Sequence, residues 1–253
     1  MKVDAMTSAV ALASLAASGL NLPSLPAFAP APATPEALAR RSLVDGALAG
    51  AWRGLDGHCT DDAEDAAIDA VAGAFGSTYG EATPDGARCI FDALGLYGDA
   101  EGLVFADLGA GVGKMVAHAS LETAVGRAIG VELSESRHAV SLEALARLKA
   151  SGDADALRPS LDVDLRRGDV LEDIPADATH AYCASLLFDD AFRRDLGAAL
   201  DASRVEVFAA LNDVPTASFI RDAQVRRARM TWNPATGATD FFVYRRRRPL
   251  GKL

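Results

Sequence analysis

From residue 61 onwards, apolar and polar positions follow one another in blocks that predict a regular succession of helices and strands. The segment DDAEDAAIDAVAGAF, residues 61–75, begins with acids and then carries apolar residues at helical spacing. This pattern predicts a helix whose acidic start complements the helix dipole. After the turn-rich segment STYGEATPDGA, a second helix is predicted through Ile90, Leu94 and Leu96.

Short apolar runs, separated by further helical segments, predict the strands of a sheet. The first run ends at Leu103, Val104 and Phe105, and the later ones are AIGVEL, VDLRRGDV, HAYCASLLF and VEVFAAL. Helices are predicted between them in SESRHAVSLEALARLKA, which starts with a serine cap, and in FRRDLGAAL. The last segments, QVRRARMTW and DFFVYRRRR, predict a hairpin. Together these elements predict an α/β fold with a mostly parallel sheet covered by helices on both faces.

The first sixty residues have a different composition. A run of small apolar residues, MKVDAMTSAVALASLAASGL, is followed by the Pro/Ala-rich segment NLPSLPAFAPAPATPEA. We therefore expect residues 1–60 to be a partly disordered leader or targeting segment. The tetrapeptide at residues 27–30, Ala-Phe-Ala-Pro, resembles the motif that follows the signal peptide in plastid-targeting leaders of algae with secondary plastids. A secretory or plastid route and an unaddressed flexible tail, which would leave the protein in the nucleus or cytoplasm, both stay open.

Composition narrows the class of protein. At 253 residues with 50% hydrophobic residues, the chain has room for one α/β domain and an extension. Its net charge of -10 disfavours non-specific binding of nucleic acid by the whole surface. Cys59, Cys89 and Cys183 lie too far apart for a metal knuckle, so we expect reduced thiols and no metal site. The apolar run near residue 10 is too short and too rich in Ala and Ser for a membrane span.

The segment ADLGAGVGK, residues 106–114, is the main candidate for binding chemistry. Glycines stand at Gly109, Gly111 and Gly113, and Asp107 ends the preceding strand. The dinucleotide fingerprint needs its third small residue at position 114, where this chain has Lys114. The loop therefore departs from that fingerprint, and its glycines let the backbone approach a ligand closely. The alternative is a strand-to-helix turn whose glycines serve geometry alone.

The glycine loop resembles the first motif of class I S-adenosyl-L-methionine (SAM) methyltransferases. This resemblance implies SAM as the cofactor, with Asp107 ordering the loop and meeting the cofactor's ammonium group. Glu132 ends the second predicted strand, where a carboxylate accepts hydrogen bonds from both ribose hydroxyls. Asp169, followed by Val170, is the expected contact near the adenine ring. Helix capping by Glu132 and a plain turn role for Asp169 are the alternatives.

Thr78-Tyr79-Gly80-Glu81 resembles the Tyr-Gly-Glu segment of the DOT1-like lysine methyltransferases, and the order and intervals to the glycine loop match. The resemblance implies a DOT1-like domain over residues 61–248 and a tail over 249–253. It implies a class I, Rossmann-like fold with a seven-stranded, mostly parallel sheet and a C-terminal antiparallel hairpin. Tyr79 and Glu81 would cover the methionine end of SAM. The implied acceptor is a protein lysine, with histone H3 suggested by the family.

The chain departs from the family in the implied acceptor channel. The family commonly carries Asn-Asn at the end of the fourth strand, where this chain has Ala184-Ser185, and a tyrosine in the late hairpin, where Phe241 or Phe242 stands. Tyr79, Ser185 and Phe241 are therefore the predicted catalytic residues. Aromatic walls would desolvate a lysine and favour its neutral, nucleophilic amine. Two alternatives remain: methylation of another protein or a small molecule, and a SAM-binding protein without transfer activity.

The chain ends in a cluster of arginines on the predicted hairpin. We favour a solvated strand end, which keeps a sheet edge from aggregating, over contact with nucleic acid. The arginines concerned are Arg226, Arg227, Arg229 and Arg245 to Arg248.

Overall fold

A computed structural model describes residues 34–98, 102–233 and 237–247. Helices and strands alternate along the chain, in agreement with the predicted order. The helices are α1 (Pro35–Ala51), α2 (Asp62–Ala72), α3 (Pro84–Leu94), α4 (Lys114–Glu122), α5 (Glu135–Ala150), α6 (Asp153–Leu157) and α7 (Asp190–Ala202). The strands are β1 (Val104–Leu108), β2 (Arg127–Glu132), β3 (Val163–Arg167), β4 (His180–Cys183), β5 (Val207–Ala210), β6 (Phe219–Arg221), β7 (Arg226–Ala228) and β8 (Thr239–Arg246).

The strands form one mixed sheet in the order β3-β2-β1-β4-β5-β8-β6, with β7 also paired to β8. Strands β1 to β5 are parallel, and β8 is antiparallel to β5, β6 and β7. The predicted α/β class, the parallel sheet and the closing hairpin are confirmed. The sheet has eight strands rather than seven because the strand facing β8 is divided into β6 and β7.

Capping residues explain where the main helices begin and end. Asp61 accepts from the amides of Ala63 and Glu64 and starts α2. Ser134 accepts from the amide of Arg137 and starts α5, as predicted. Each side-chain cap satisfies an amide that the first helical turn leaves unpaired.

Apolar side chains cover both faces of the sheet. On one face, α3 buries Ile90, Phe91 and Leu94 in a cluster that also contains Phe105 of β1. On the other face, α7 packs on strands β5 and β8. The buried residues there are Phe192, Leu196 and Leu200 of α7, Phe208 of β5 and Tyr244 of β8. Full burial of such a side chain stabilises the fold by about 1.5–3 kcal/mol.

Helix α1 lies within the segment predicted as a leader, and it packs against the helices of the α/β domain. Its residues Val44, Leu48 and Ala51 follow helical spacing and pack against Leu121 of α4 and Leu148 of α5. Residues 35–51 of the predicted leader are therefore part of the packed protein, and the high Ala content of this segment obscured the apolar face of the helix. The leader interpretation of residues 1–33 and the tail at 249–253 lie outside the described residues.

A buried charge cluster joins α1 to α3 and α4. The guanidinium of Arg88 donates to Asp45 at 2.7 Å and to Glu122 at 2.7 Å. His118 lies 2.9 Å from the same Glu122 carboxylate. Because each buried charge has an opposite partner, the cluster links three helices instead of destabilising their interface.

The C-terminal arginines that the structure describes are used within the fold. Arg246 donates to backbone carbonyls at the end of α7, including those of Leu200 and Ser203, and its guanidinium lies over the ring of Phe219. Arg227 pairs with Asp240 at 3.1 Å. These contacts agree with a structural role for the cluster; Arg248 lies outside the described residues. Within the described part of the chain, none of the helices has the length and apolarity to cross a membrane.

Candidate active site

A cavity of about 510 Å³ lies at the carboxyl edge of the parallel strands. The ends of β1, β2 and β4 meet there because parallel strands all point to the same edge, where α/β proteins bind ligands. The segment between α2 and α3 covers the cavity. Of the predicted site residues, the cavity is lined by Tyr79, Glu81, Asp107, Gly109, Gly111, Glu132, Asp169 and Val170.

The glycine loop joins β1 to α4 through three left-handed residues. Gly109, Gly111 and Gly113 have φ angles of 90°, 55° and 75°, which glycine adopts without steric cost. Gly113 lies at the start of α4 outside the cavity wall, where it shapes the turn. A β-carbon at Gly111 would meet the Tyr79 ring at 2.9 Å, so the loop and the covering segment are in close contact.

Asp107 presents a buried oxygen without a hydrogen-bond partner among the described residues. The side chain is 3% exposed and lines the cavity, and its Oδ1 atom is unpaired. Burial, and then the charge of Glu132, raise the pKa of Asp107 well above its usual value. A cationic ligand group would satisfy both the oxygen and the charge, so the site fits the ammonium group of SAM.

Glu132 holds the loop and retains capacity for a ligand. Its Oε2 accepts from the amide of Gly111 at 2.7 Å and its Oε1 from the amide of Ser134 at 2.9 Å. A carboxylate offers about four acceptor positions, so two remain for hydroxyl groups in the cavity. Because Ser134 caps α5, Glu132 is not the cap of that helix, and its geometry is compatible with the ligand role.

Asp169 and Val170 lie beyond β3 on the cavity wall. Asp169 accepts from the amide of Leu171 at 2.9 Å through one oxygen, so it shapes the turn there. Val170 is buried and packs against the core below the cavity. Asp169 thus contributes a carboxylate to this part of the cavity wall, and Val170 contributes an apolar surface.

Tyr79 and Glu81 form a polar bridge with a residue that the sequence analysis did not assign. The Tyr79 hydroxyl donates to Glu81 Oε1 at 2.5 Å, and Lys114 Nζ donates to Glu81 Oε2 at 2.5 Å. Burial, and then the charge of Glu81, raise the pKa of Tyr79, so the hydroxyl stays protonated. Lys114 immediately follows the last loop glycine, and that position was the available signal for it.

The covering segment is joined to the C-terminal hairpin. The amide of Glu81 donates to Thr231 Oγ1 at 3.0 Å, and the amide of Thr231 donates to the Glu81 carbonyl at 2.8 Å. Trp232 follows and lines the cavity. Pairing between segments 150 residues apart brings an aromatic wall to the site.

Two predicted catalytic residues lie away from the cavity wall. Ser185 is 0% exposed, and its Oγ accepts from the amide of Asn212, because the short 3₁₀ turn after β4 directs it inward. Phe241 is 1% exposed and packs in the core with α3. The aromatic side chain that the C-terminal hairpin contributes to the cavity wall is that of Trp232. Ala184 also lines the cavity. Phe242, the other candidate, lies under the guanidinium of Arg221.

Comparisons with known proteins agree with this geometry. The family described as histone methylation protein DOT1 matches residues 72–198, half of the 253-residue chain. No curated protein matches the chain significantly.

Two solved structures match the chain at low sequence identity. PH1948 of Pyrococcus horikoshii, which has been assigned as an RNA methyltransferase, is 16% identical with a TM-score of 0.50; the match covers 83% of this chain and 98% of that one. An RNA methyltransferase from Salinibacter ruber in complex with S-adenosyl-L-homocysteine is 18% identical with a TM-score of 0.41 and covers 63% and 87% of the two chains. At 16% identity, the match with PH1948 shows the fold alone.

The extent of the family match fits the arrangement of the site. It runs from the last residue of α2 into α7, and so contains the covering segment, the glycine loop and the carboxylates at the ends of β1 and β2. The chain belongs to the DOT1 family and is a class I methyltransferase that uses S-adenosyl-L-methionine as its cofactor.

Proposed function

We propose that the cavity binds SAM across the carboxyl edge of the sheet and that the protein methylates a lysine amine of another protein, with histone H3 as the substrate suggested by the family. The unpaired, buried oxygen of Asp107 carries this proposal. A buried carboxylate without a partner is costly unless a cation completes it. SAM, when bound, supplies a methyl group that the sulfonium has already activated.

The charges around the cavity suggest how the two ends of the cofactor are held. Asp107 binds the ammonium of the amino-acid tail. Lys114, released from Glu81, binds the carboxylate of the same tail through its ammonium group. Glu132 accepts from the ribose hydroxyls at the other side of the loop. Asp169 and Val170 contact the adenine at the end of β3.

The acceptor side is formed by Tyr79, Trp232 and Ala184. Two aromatic rings beside a small residue give an apolar passage for the aliphatic part of a lysine. Desolvation there lowers the pKa of the lysine amine, which must be neutral to attack the methyl group. Because Tyr79 stays protonated, it serves as a wall and a donor, and the amine loses its proton to water before transfer.

A second candidate function is methylation of a non-histone protein or a small molecule. Ala184 contributes no polar group, and Ser185 is directed into the core. The end of β4 therefore provides neither of the two amide side chains that the family commonly uses. This difference favours an acceptor whose orientation depends on Tyr79, Thr231 or the backbone.

Labelled SAM distinguishes these functions. Purified protein is incubated with labelled SAM and, separately, with histone octamers, nucleosomes or lysine-containing proteins, and products are identified by mass spectrometry. Asp107→Asn is the control for cofactor binding. Methylated H3 supports the first function, and methylation of other acceptors alone supports the second. Cofactor binding with no product in any reaction would contradict both.

A further inference from the structure

Trp52 contacts the glycine loop from a part of the chain that the family match does not include. Its indole Nε1–H donates to the carbonyl of Val112 at 2.9 Å. Val112 lies between Gly111 and Gly113, and Trp52 lies just after α1, twenty residues before the matched segment begins at residue 72. Trp52 is 5% exposed and also lines the cavity.

Several independent contacts fix helix α1, which leads directly into Trp52. Val44 and Leu48 of α1 pack against α4 and α5 in the same cluster as the ring. Asp45 pairs with the buried Arg88, and Arg40 donates to the carbonyl of Leu121 at 2.7 Å. The end of α1 is therefore fixed relative to α4, the helix that the glycine loop starts.

The hydrogen bond acts on the part of the loop that most needs a fixed conformation. Three glycines give the loop backbone freedom, and the structure restricts it from two directions. Glu132 accepts from the amide of Gly111 on one side, and Trp52 donates to the carbonyl of the following residue, Val112, on the other. A loop that is held at Gly111 and at Val112 keeps its amides in one arrangement. Less conformational entropy is then lost when a ligand binds.

We propose that Trp52 is a positioning residue for the cofactor: it acts through Val112 to keep the glycine loop in the conformation that binds SAM. This inference rests on the proposed role of the loop in cofactor binding. It extends the functional unit to α1, beyond the segment that the family match covers. The indole N–H, rather than the ring alone, carries the effect, because the carbonyl of Val112 is its acceptor.

The test is Trp52→Phe, which keeps an aromatic ring and removes the N–H donor. We expect the Kd for SAM, measured by calorimetry, to rise about five- to tenfold, as for the loss of one hydrogen bond. The KM for SAM rises in parallel, while kcat at saturating SAM stays close to the wild-type value. Hydrogen exchange should accelerate at the amides of Gly111 and Gly113 more than in α5. Leu43→Ala, on the exposed side of α1, is the matched control and leaves the Kd unchanged.

A second measurement uses the unaltered ring. The chain has two tryptophans, so the indole N–H resonance of Trp52 can be assigned by comparison with Trp232→Phe. Addition of SAM should slow the exchange of that proton. A wild-type Kd in Trp52→Phe, or an indole proton whose exchange SAM does not change, overturns the inference. Wild-type protein that binds no SAM overturns the proposed function instead.

Discussion

The indole ring of Trp232 lies against the bare backbone of Gly80, so closely that a β-carbon at residue 80 would overlap the ring. The two residues come from the covering segment and the C-terminal hairpin, which also exchange hydrogen bonds between Glu81 and Thr231. Trp232 can therefore occupy its position in the wall of the candidate acceptor site only because residue 80 has no side chain. This relationship explains why the Tyr-Gly-Glu segment has glycine at its centre.

Gly80→Ala should displace Trp232 and lower the rate of methyl transfer. A misplacement of about 1 Å at a reacting group costs up to about a hundredfold in rate, so we expect kcat to fall by about ten- to a hundredfold, more than SAM affinity falls. Gly46→Ala is the matched control, because a β-carbon there has no neighbour within 4 Å. Steady-state kinetics with both substrates varied provide the measurement. Wild-type kcat in Gly80→Ala would remove Trp232 from the acceptor wall.

Asp107 should make SAM binding depend on pH. Burial and then Glu132 raise the pKa of Asp107 in the unliganded protein, whereas a bound ammonium favours the ionised carboxylate. SAM binding therefore releases a proton, and affinity increases as pH rises through the raised pKa. Calorimetry in buffers of different ionisation enthalpy measures this proton. Asp107→Asn should weaken binding by about 1.5–3 kcal/mol and abolish the proton release.

The same carboxyl has an opposite effect on the unliganded fold. A raised pKa means that the stability from neutral Asp107 is present at low pH and lost as pH rises through the folded-state value. We therefore expect Asp107→Asn to raise the Tm of the unliganded protein at neutral and alkaline pH and to change it little below the unfolded-state pKa of 3.8. Thermal unfolding over a pH series checks this. A lower Tm for the variant at alkaline pH would show that the carboxylate has a partner inside the protein.

Glu132 is expected to contribute to both the cofactor site and the loop. Glu132→Ala should weaken SAM binding by about 1–3 kcal/mol, because the acceptors for the ribose hydroxyls are lost. The same change leaves the amides of Gly111 and Ser134 without the carboxylate that accepts from them. Glu132→Gln keeps one acceptor oxygen and should fall between the wild type and the alanine variant. Calorimetry gives the affinities, and thermal unfolding gives the separate loss of stability. Equal SAM affinity in all three proteins would exclude the ribose contact.

Ser185 and Trp232 should behave differently when replaced. Ser185→Ala removes an acceptor for the amide of Asn212 in the core and should cost about 1 kcal/mol of stability, with kcat and KM retained below the unfolding transition. Trp232→Leu should lower kcat/KM for the acceptor while SAM still binds. Chemical denaturation and steady-state kinetics separate the two effects. If Ser185→Ala lowers kcat under conditions in which all of the protein is folded, that result would support the catalytic role predicted for Ser185 from the sequence.

The cluster around Glu122 should determine stability in acid. Burial alone raises the pKa of Glu122, but hydrogen bonds from His118 and Arg88 outweigh it and lower the value to about 2. A lowered pKa stabilises the fold above the unfolded value of about 4.5, and this stability is lost as pH falls towards 2. The effect amounts to roughly 3 kcal/mol. Glu122→Gln should remove that amount at neutral pH and flatten the acid dependence of urea unfolding; an unchanged dependence would contradict the assignment.

Local patterns in the sequence determined the order of helices and strands, the glycine loop and the carboxylates that end β1 and β2. Apolar periodicity, glycine positions and capping residues such as Ser134 are properties of neighbouring residues, so they can be identified without knowing the fold. The parallel arrangement of the strands then places Asp107 and Glu132 at the same edge. The sequence therefore predicted both the architecture and the residues around the unpaired oxygen of Asp107.

Tertiary structure decided which side chains reach the cavity from distant segments. Ser185 turns inward and Phe241 enters the core, whereas Trp232 and Trp52 line the site. Helix α1 joins the same body through Arg88 and an apolar face that its alanine-rich composition concealed. Side-chain direction and contact depend on how segments 27 to 150 residues apart pack together, and no local pattern in the chain contains that information.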